Sequence, residues 1–148
     1  MGASITPTCI EYTTGYKYRL RNPYSVNTGI IPDKAINTKY IRLYKSGLLT
    51  LAAEYEWDGP SGPAIDTTNF MRGSLVHDAF YQLMREGYLD KEKFREPADR
   101  LLESMCKEDG MTALRAWWVY KGVRFGGDKA LQPRPVAWEE YRAPKGCK

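Results

Sequence analysis

The chain reads as an α+β domain: an N-terminal antiparallel β region of hairpins or a small sheet, about three helices packed on it, and an irregular Pro-rich C-terminal tail. Three observations predict this. Apolar and polar side chains alternate in the first third, in "YKYRL" and "KYIRLY", the period-two mark of a half-buried strand. From residue 67 the apolar positions recur at helical spacing instead. Between the two lies a cluster of glycine and proline, Gly59 to Pro63, that suits neither element. At 148 residues the chain suits one domain with one core, large enough to need no disulfide or metal to fold.

Taken in order, residues 1–57 form the β-rich part. "KSG" at 45–47 offers a turn between "KYIRLY" and "LLTLAAEYEW", so 39–57 is expected to form a hairpin. Residues 58–66 are the Gly/Pro loop, and 67–127 the helical part. Asp66 or Thr67 caps the first helix, which stops at Gly87; Leu75, Ala79 and Leu83 mark its buried stripe. Asp90 caps the next segment. There Pro97 either kinks a helix or occupies the first turn of one running to about Lys107. "MTALRAWWVYKGVRF" forms the third helix, closed by Gly126-Gly127. The remaining residues, 128–148, are read as a surface tail broken by Pro133, Pro135 and Pro144.

Composition excludes several classes. With 43% hydrophobic and 27% charged residues the chain resembles an ordinary globular protein, not a disordered one. The longest apolar runs, "LLTLAA" and "AWWVY", are too short to span a bilayer, and "MGASITPTC" lacks the features of a signal peptide. "MGASIT" fits a short myristoylation pattern that often arises by chance. Three scattered cysteines argue against a disulfide framework or a structural zinc site and for reduced thiols. The net charge of +4 is uneven: +5 over residues 1–50, −6 over 51–110 and +5 over 111–148. Such a chain can meet phosphates at its ends and hold a cation in its middle.

The sole histidine, His77, stands in "SLVHDAFYQLMREG". His77 and Tyr81 are four residues apart and share a helix face; Asp78 points about a quarter turn away. "PADRLL" puts Asp99 on the following helix, where a helix hairpin would bring it to His77. The carboxylate would then fix the imidazole tautomer and stabilise the ring when it takes a proton. Tyr81 is placed to bond the same carboxylate, and Asp78 is left to bind a cation. The loop "YEWDGPSGPAID" exposes backbone carbonyls, which with one carboxylate suit Ca²⁺.

A glycine loop, an H-D-x-x-Y motif about eighteen residues on and an A-D on the next helix resemble the phospholipase A2 active site. The disulfide-free form carried by parvovirus capsid proteins is the nearer likeness. The resemblance covers residues 58–103. It implies a calcium-dependent esterase in which His77 is the general base for water, Asp99 its orienting partner and Tyr81 a donor to Asp99. Asp78 would be a calcium ligand, with Gly59 and Gly62 in the calcium loop. The loop departs from that pattern at Pro60, Ser61 and Pro63, and a proline has no N–H to offer an oxyanion. A second resemblance, carried by "WDGPSGPAIDTTNFMRGSLVHDAFYQLMREG", the later "AD" and "AWWVYKGVRFGG", is to short phage and prophage proteins of unassigned function. It implies synthesis in a host cytoplasm, incorporation in a virion being one fate, and phage-particle or host proteins as partners.

The competing chemistries lack residues. Metal-dependent phosphohydrolases with an H…HD…D signature need a further histidine. A serine hydrolase needs a nucleophile elbow that "GPSGP" does not match, and Cys106 has no local support as a thiol partner of His77. The non-catalytic alternative is a virion component or host-interaction module in which the His–Asp–Tyr cluster only pins helices together. Exposure separates the two readings: a catalytic histidine reaches a cleft, whereas a structural one can be sealed with both ring nitrogens bonded. On the third helix Trp117, Tyr120 and Arg124 lie near one face. Core packing by Trp and Tyr, with solvated basic residues, is the simpler expectation there; the functional alternatives are a lipid membrane surface or base stacking with phosphate contacts. No specific nucleic acid is expected, and the aromatic, basic tail also suits oligomer or other protein contacts.

Overall fold

In the computed structural model, residues 10–12, 18–59, 68–131 and 141–143 are described. In chain order the elements are β1 (Ile10–Tyr12), β2 (Tyr18–Arg19), β3 (Tyr24–Asn27), β4 (Ile36–Asn37), β5 (Ile41–Leu43), β6 (Leu48–Leu51) and β7 (Glu56–Trp57). The helices α1 (Thr68–Arg85), α2 (Lys91–Glu108) and α3 (Ala113–Ala130) follow, then β8 (Tyr141–Ala143). The chain forms two compact units, residues 1–15 with 134–148, and residues 16–133. In the smaller, β1 pairs antiparallel with β8. The larger is the expected α+β arrangement, strands first and helices after.

Alternation builds the sheet. Its order is β3-β6-β5-β4, antiparallel throughout. On one face Ile41, Leu43, Leu49 and Leu51 are completely buried and form the sheet's side of the core. On the other, Ser25 and Thr50 share a hydroxyl hydrogen bond of 2.9 Å, and Arg42 Nε donates to Asn37 Oδ1 at 3.0 Å. The hairpin expected over 39–57 is shorter. β6 ends at Leu51, the chain turns through Glu54 at a φ of +73°, and β7 leaves to pair with β2. β3 (YSVN) and β4 (two residues) are too short for their alternation to announce them; their pairing to β6 and β5 supplies what so short a pattern does not.

The helices obey their end signals. Gly87 (φ +84°) ends α1, with Tyr88 N–H bonded back to the Leu83 carbonyl at 2.8 Å. Asp90 caps α2 by accepting from Glu92 N–H at 3.1 Å. Pro97 neither opens nor divides this helix but sits inside it. Thr112, read as helical, is the residue before α3, where its hydroxyl accepts from Arg115 N–H at 3.3 Å. α3 also runs three residues past Gly126-Gly127. The caps expected at Asp66 and Thr67 lie outside the described residues.

α1 and α2 run antiparallel, since Gly73 lies against Leu102 and Cys106 while His77 reaches Asp99. A Cβ at Gly73 would stand 3.0 Å from Leu102 Cδ1, so the missing side chain is what lets the helices close. Phe80, Leu83 and Val76 of α1 meet Phe94, Ala98 and the sheet in one core. Cys106, Met111 and Ala116 belong to a second cluster between α2 and α3. Among the described residues no helix is long and apolar enough to cross a membrane.

Candidate functional site

Three helices supply the cluster. α1 contributes His77, Asp78 and Tyr81, α2 contributes Asp99, and α3 contributes Arg124. His77 Nε2 lies 2.7 Å from Asp99 Oδ1, and Tyr81 Oη donates to the same oxygen at 2.6 Å. Arg124 Nη1 donates to the other oxygen, Oδ2, at 3.0 Å. Asp99 is fully buried, at 0% exposure, and accepts all three bonds, close to what a carboxylate can take. The rings of His77 and Tyr81 stack at a 4.1 Å centroid separation and 38° tilt.

The other edge of the imidazole differs. Nδ1 is 3.9 Å from Asp78 Oδ1, beyond hydrogen-bond reach, and Asp78 is partly open to solvent. With Asp99 ionised, Nε2 carries the proton and donates it to Oδ1, which leaves the Nδ1 lone pair on the Asp78 side. His77 is itself buried, at 7% exposure. Its environment thus meets one condition of each reading: it is nearly sealed, yet among the described residues Nδ1 has no hydrogen-bond partner and only Asp78 near it.

The electrostatics follow from this packing. Burial alone would lower the His77 pKa, but Asp78 and Asp99 outweigh it and hold the imidazole above its usual value. Burial would raise Asp99; bonds from His77, Tyr81 and Arg124 outweigh it and keep the carboxyl below the ordinary range. The Tyr81 phenol is pushed up by burial and by its bond to Asp99. Cys106 is buried with its thiol pushed up to about 11, mainly by burial, so it is not a thiolate nucleophile.

All of the His77, Tyr81 and Asp99 set is therefore brought together, and Asp78 stands beside it. Gly59 ends β7 at a φ of +77°, packed so closely on Tyr18 that a Cβ would come within 2.4 Å of Cε2. That contact gives the glycine a steric reason of its own. Trp57, two residues earlier, donates from Nε1 to Ser74 Oγ of α1 at 3.3 Å and so ties the start of the loop to the helix bearing His77. Gly62 lies outside the described residues. Among the described residues no group of three or more His, Cys, Asp or Glu side chains is arranged to hold a metal ion, so a cation at Asp78 would need backbone oxygens. One carboxylate with carbonyls is a donor set that calcium accepts, and Asp78 fits the carboxylate part of it.

Sequence reasoning missed Arg124 and Arg95. Arg124 was expected to be solvated; it is instead the third partner of Asp99. Arg95 Nη2 donates to the carbonyls of Val123 (3.3 Å) and Arg124 (2.7 Å), which fixes the turn of α3 that carries the arginine. The available signal was electrostatic: a buried carboxylate with only His and Tyr beside it calls for a cation. The expectation for the third helix also divides. Tyr120 packs inward, but Trp117 and Trp118 are exposed.

Compared with protein-family models, curated proteins and solved structures, the chain matches none of them.

Proposed function

We propose that the protein is a calcium-dependent, phospholipase A2-like esterase acting on lipids, encoded by a phage or prophage. What supports this reading above all is the two-sided use of His77. Nε2 is bound to a buried carboxylate, and Nδ1 is left on the side of a partly exposed one. That is the arrangement a general base requires. Nδ1 takes a proton from water as the water oxygen adds to the ester carbonyl. The imidazolium formed is stabilised by Asp99, and it returns the proton to the departing alcohol when the C–O bond breaks. Asp99, Tyr81 and Arg124 act as positioning residues. Calcium, when bound at Asp78 and loop carbonyls, supplies charge that polarises the carbonyl and stabilises the oxyanion.

The test is hydrolysis of mixed phospholipid vesicles at millimolar calcium, with calcium affinity measured by calorimetry. His77→Ala is expected to abolish turnover, Asp78→Asn to weaken calcium binding and turnover together, and Asp99→Asn to lower turnover with calcium affinity unchanged. The second reading is a non-catalytic phage protein whose cluster locks α1, α2 and α3 together. It is favoured by the low exposure of His77 and the bond from Arg124. Under it, wild-type protein is inert on lipids, binds no calcium, and all three variants only melt earlier.

A further inference from the structure

α3 is apolar on the side that faces away from the core. Ala116, Tyr120 and Gly127 mark the buried stripe. A step of about 100° per residue puts Leu114, Trp118 and Phe125 directly opposite. These three are 68%, 63% and 90% exposed, with Trp117 beside them at 42%. A helix in this position normally turns charged residues to water; one that is apolar all round is covered by something.

The charges around the stripe identify the cover. Over its length α3 carries Arg115, Lys121, Arg124 and Lys129 against a single carboxylate, Asp128. Lys121 Nζ stands 5.4 Å from the centroid of the Trp117 ring, on the same outward side. A second copy of the chain would bring like charges together across a twofold axis. The stripe from Leu114 to Phe125 is also only about 16 Å long, narrow for the roughly 800 Å² per partner that a stable protein interface uses. Aromatic side chains on an outward helix face with cations alongside match an interface of acyl chains and anionic headgroups.

We propose that the outer face of α3 docks the protein on an anionic lipid bilayer, with Leu114, Trp118 and Phe125 entering the headgroup boundary and Lys121 and Arg115 meeting lipid phosphates. The esterase reading would share this partner, but the docking face rests on different residues and does not require turnover. The experiment is therefore run in a calcium chelator with the His77→Ala chain beside wild type, so that failure of binding and failure of catalysis are separate results.

Partition is measured by vesicle flotation and by tryptophan emission. The vesicles are pure phosphatidylcholine, or phosphatidylcholine with about one part in three of phosphatidylglycerol. Each surface cation is worth about fivefold, so binding should be on the order of tenfold or more stronger to the anionic vesicles and should weaken with salt. Trp118→Ser with Phe125→Ser should lower it by at least about tenfold, since both side chains would leave the apolar phase. Both residues are exposed, so the variant should keep the wild-type melting temperature. Lys121→Glu should weaken anionic binding and leave the weak neutral binding alone. Three results would overturn the proposal: no partition to anionic vesicles, partition unchanged by the serine pair, or a dimer in light scattering that the serine pair dissolves.

Discussion

The α1–α2 interface and the outer face of α3 break the same rule in opposite directions. Between α1 and α2 a carboxylate at 0% exposure sits with an imidazole at 7%. On α3 a phenylalanine is 90% exposed beside two exposed tryptophans. Burial of polar groups is costly unless each is bonded, and exposure of apolar groups forgoes hydrophobic stabilisation. The buried cluster meets its cost with three hydrogen bonds to one carboxylate. The exposed stripe has no such compensation among the described residues, which is what the proposed lipid contact would supply. An internal polar network can serve either folding or chemistry, whereas an uncompensated apolar face points to a partner.

The largest break in that contrast is Asp99→Ala. It leaves His77, Tyr81 and the Arg124 guanidinium without their acceptor, and removing one member of a buried charge pair costs about 3–5 kcal/mol. Urea denaturation should show this as a lower midpoint at unchanged slope. A loss under about 1 kcal/mol would mean that the network is not closed around Asp99 in solution.

A pair of glycines on α3 sharpens the comparison. A Cβ at Gly127 would lie 2.5 Å from Tyr81 Oη and 3.0 Å from Arg95 Nη2, whereas at Gly122 it meets nothing within 4 Å. Gly127→Ala should therefore push Tyr81 off Asp99 and cost about 1–3 kcal/mol as overpacking, less the gain in helix propensity. Gly122→Ala should stabilise by up to about 1 kcal/mol. Thermal denaturation of both variants checks the opposite signs.

The pH dependence of stability should carry the cluster's signature. Asp99 is held below its ordinary value of 3.8, so its contribution is present above that pH and is lost as pH falls through the lower folded-state value. His77 is held above 6.5, so its contribution is present below that pH and is lost as pH rises through the folded-state value. Denaturant midpoints across pH should show both limbs, and His77→Gln should remove the alkaline one. The smallest effect belongs to the outer face. Phe125→Ser alone should alter stability by no more than about 0.5 kcal/mol, as surface changes do.

The fold class and the heart of the cluster were legible because their signals are local or nearly so. Alternation in "KYIRLY", the stop at Gly87 and the cap at Asp90 each state one element's fate within a few residues. The His77–Asp99 pairing followed from two helices joined by a short loop, which leaves little choice of neighbour. Arg124 was not legible because it stands on a third helix, twenty-five residues from Asp99 on α2, and helix packing angles are not written in periodicity. β3 and β4 escaped for a like reason: their strand character comes from pairing with β6 and β5. On α3 the composition pointed to aromatic packing, but only the fold could reveal which side of "LRAWWVYKGVRF" faces out.

One histidine in the chain makes the central claim directly measurable. Nitrogen-15 chemical shifts of the labelled imidazole report which ring nitrogen carries the proton, and at which pH the second proton arrives. The expected result is an Nε2–H tautomer at high pH, with Nδ1 unprotonated, a pKa above the ordinary value, and a fall in that pKa when calcium is added beside Asp78. An Nδ1–H tautomer, or a ring that does not titrate and ignores calcium, would contradict the account.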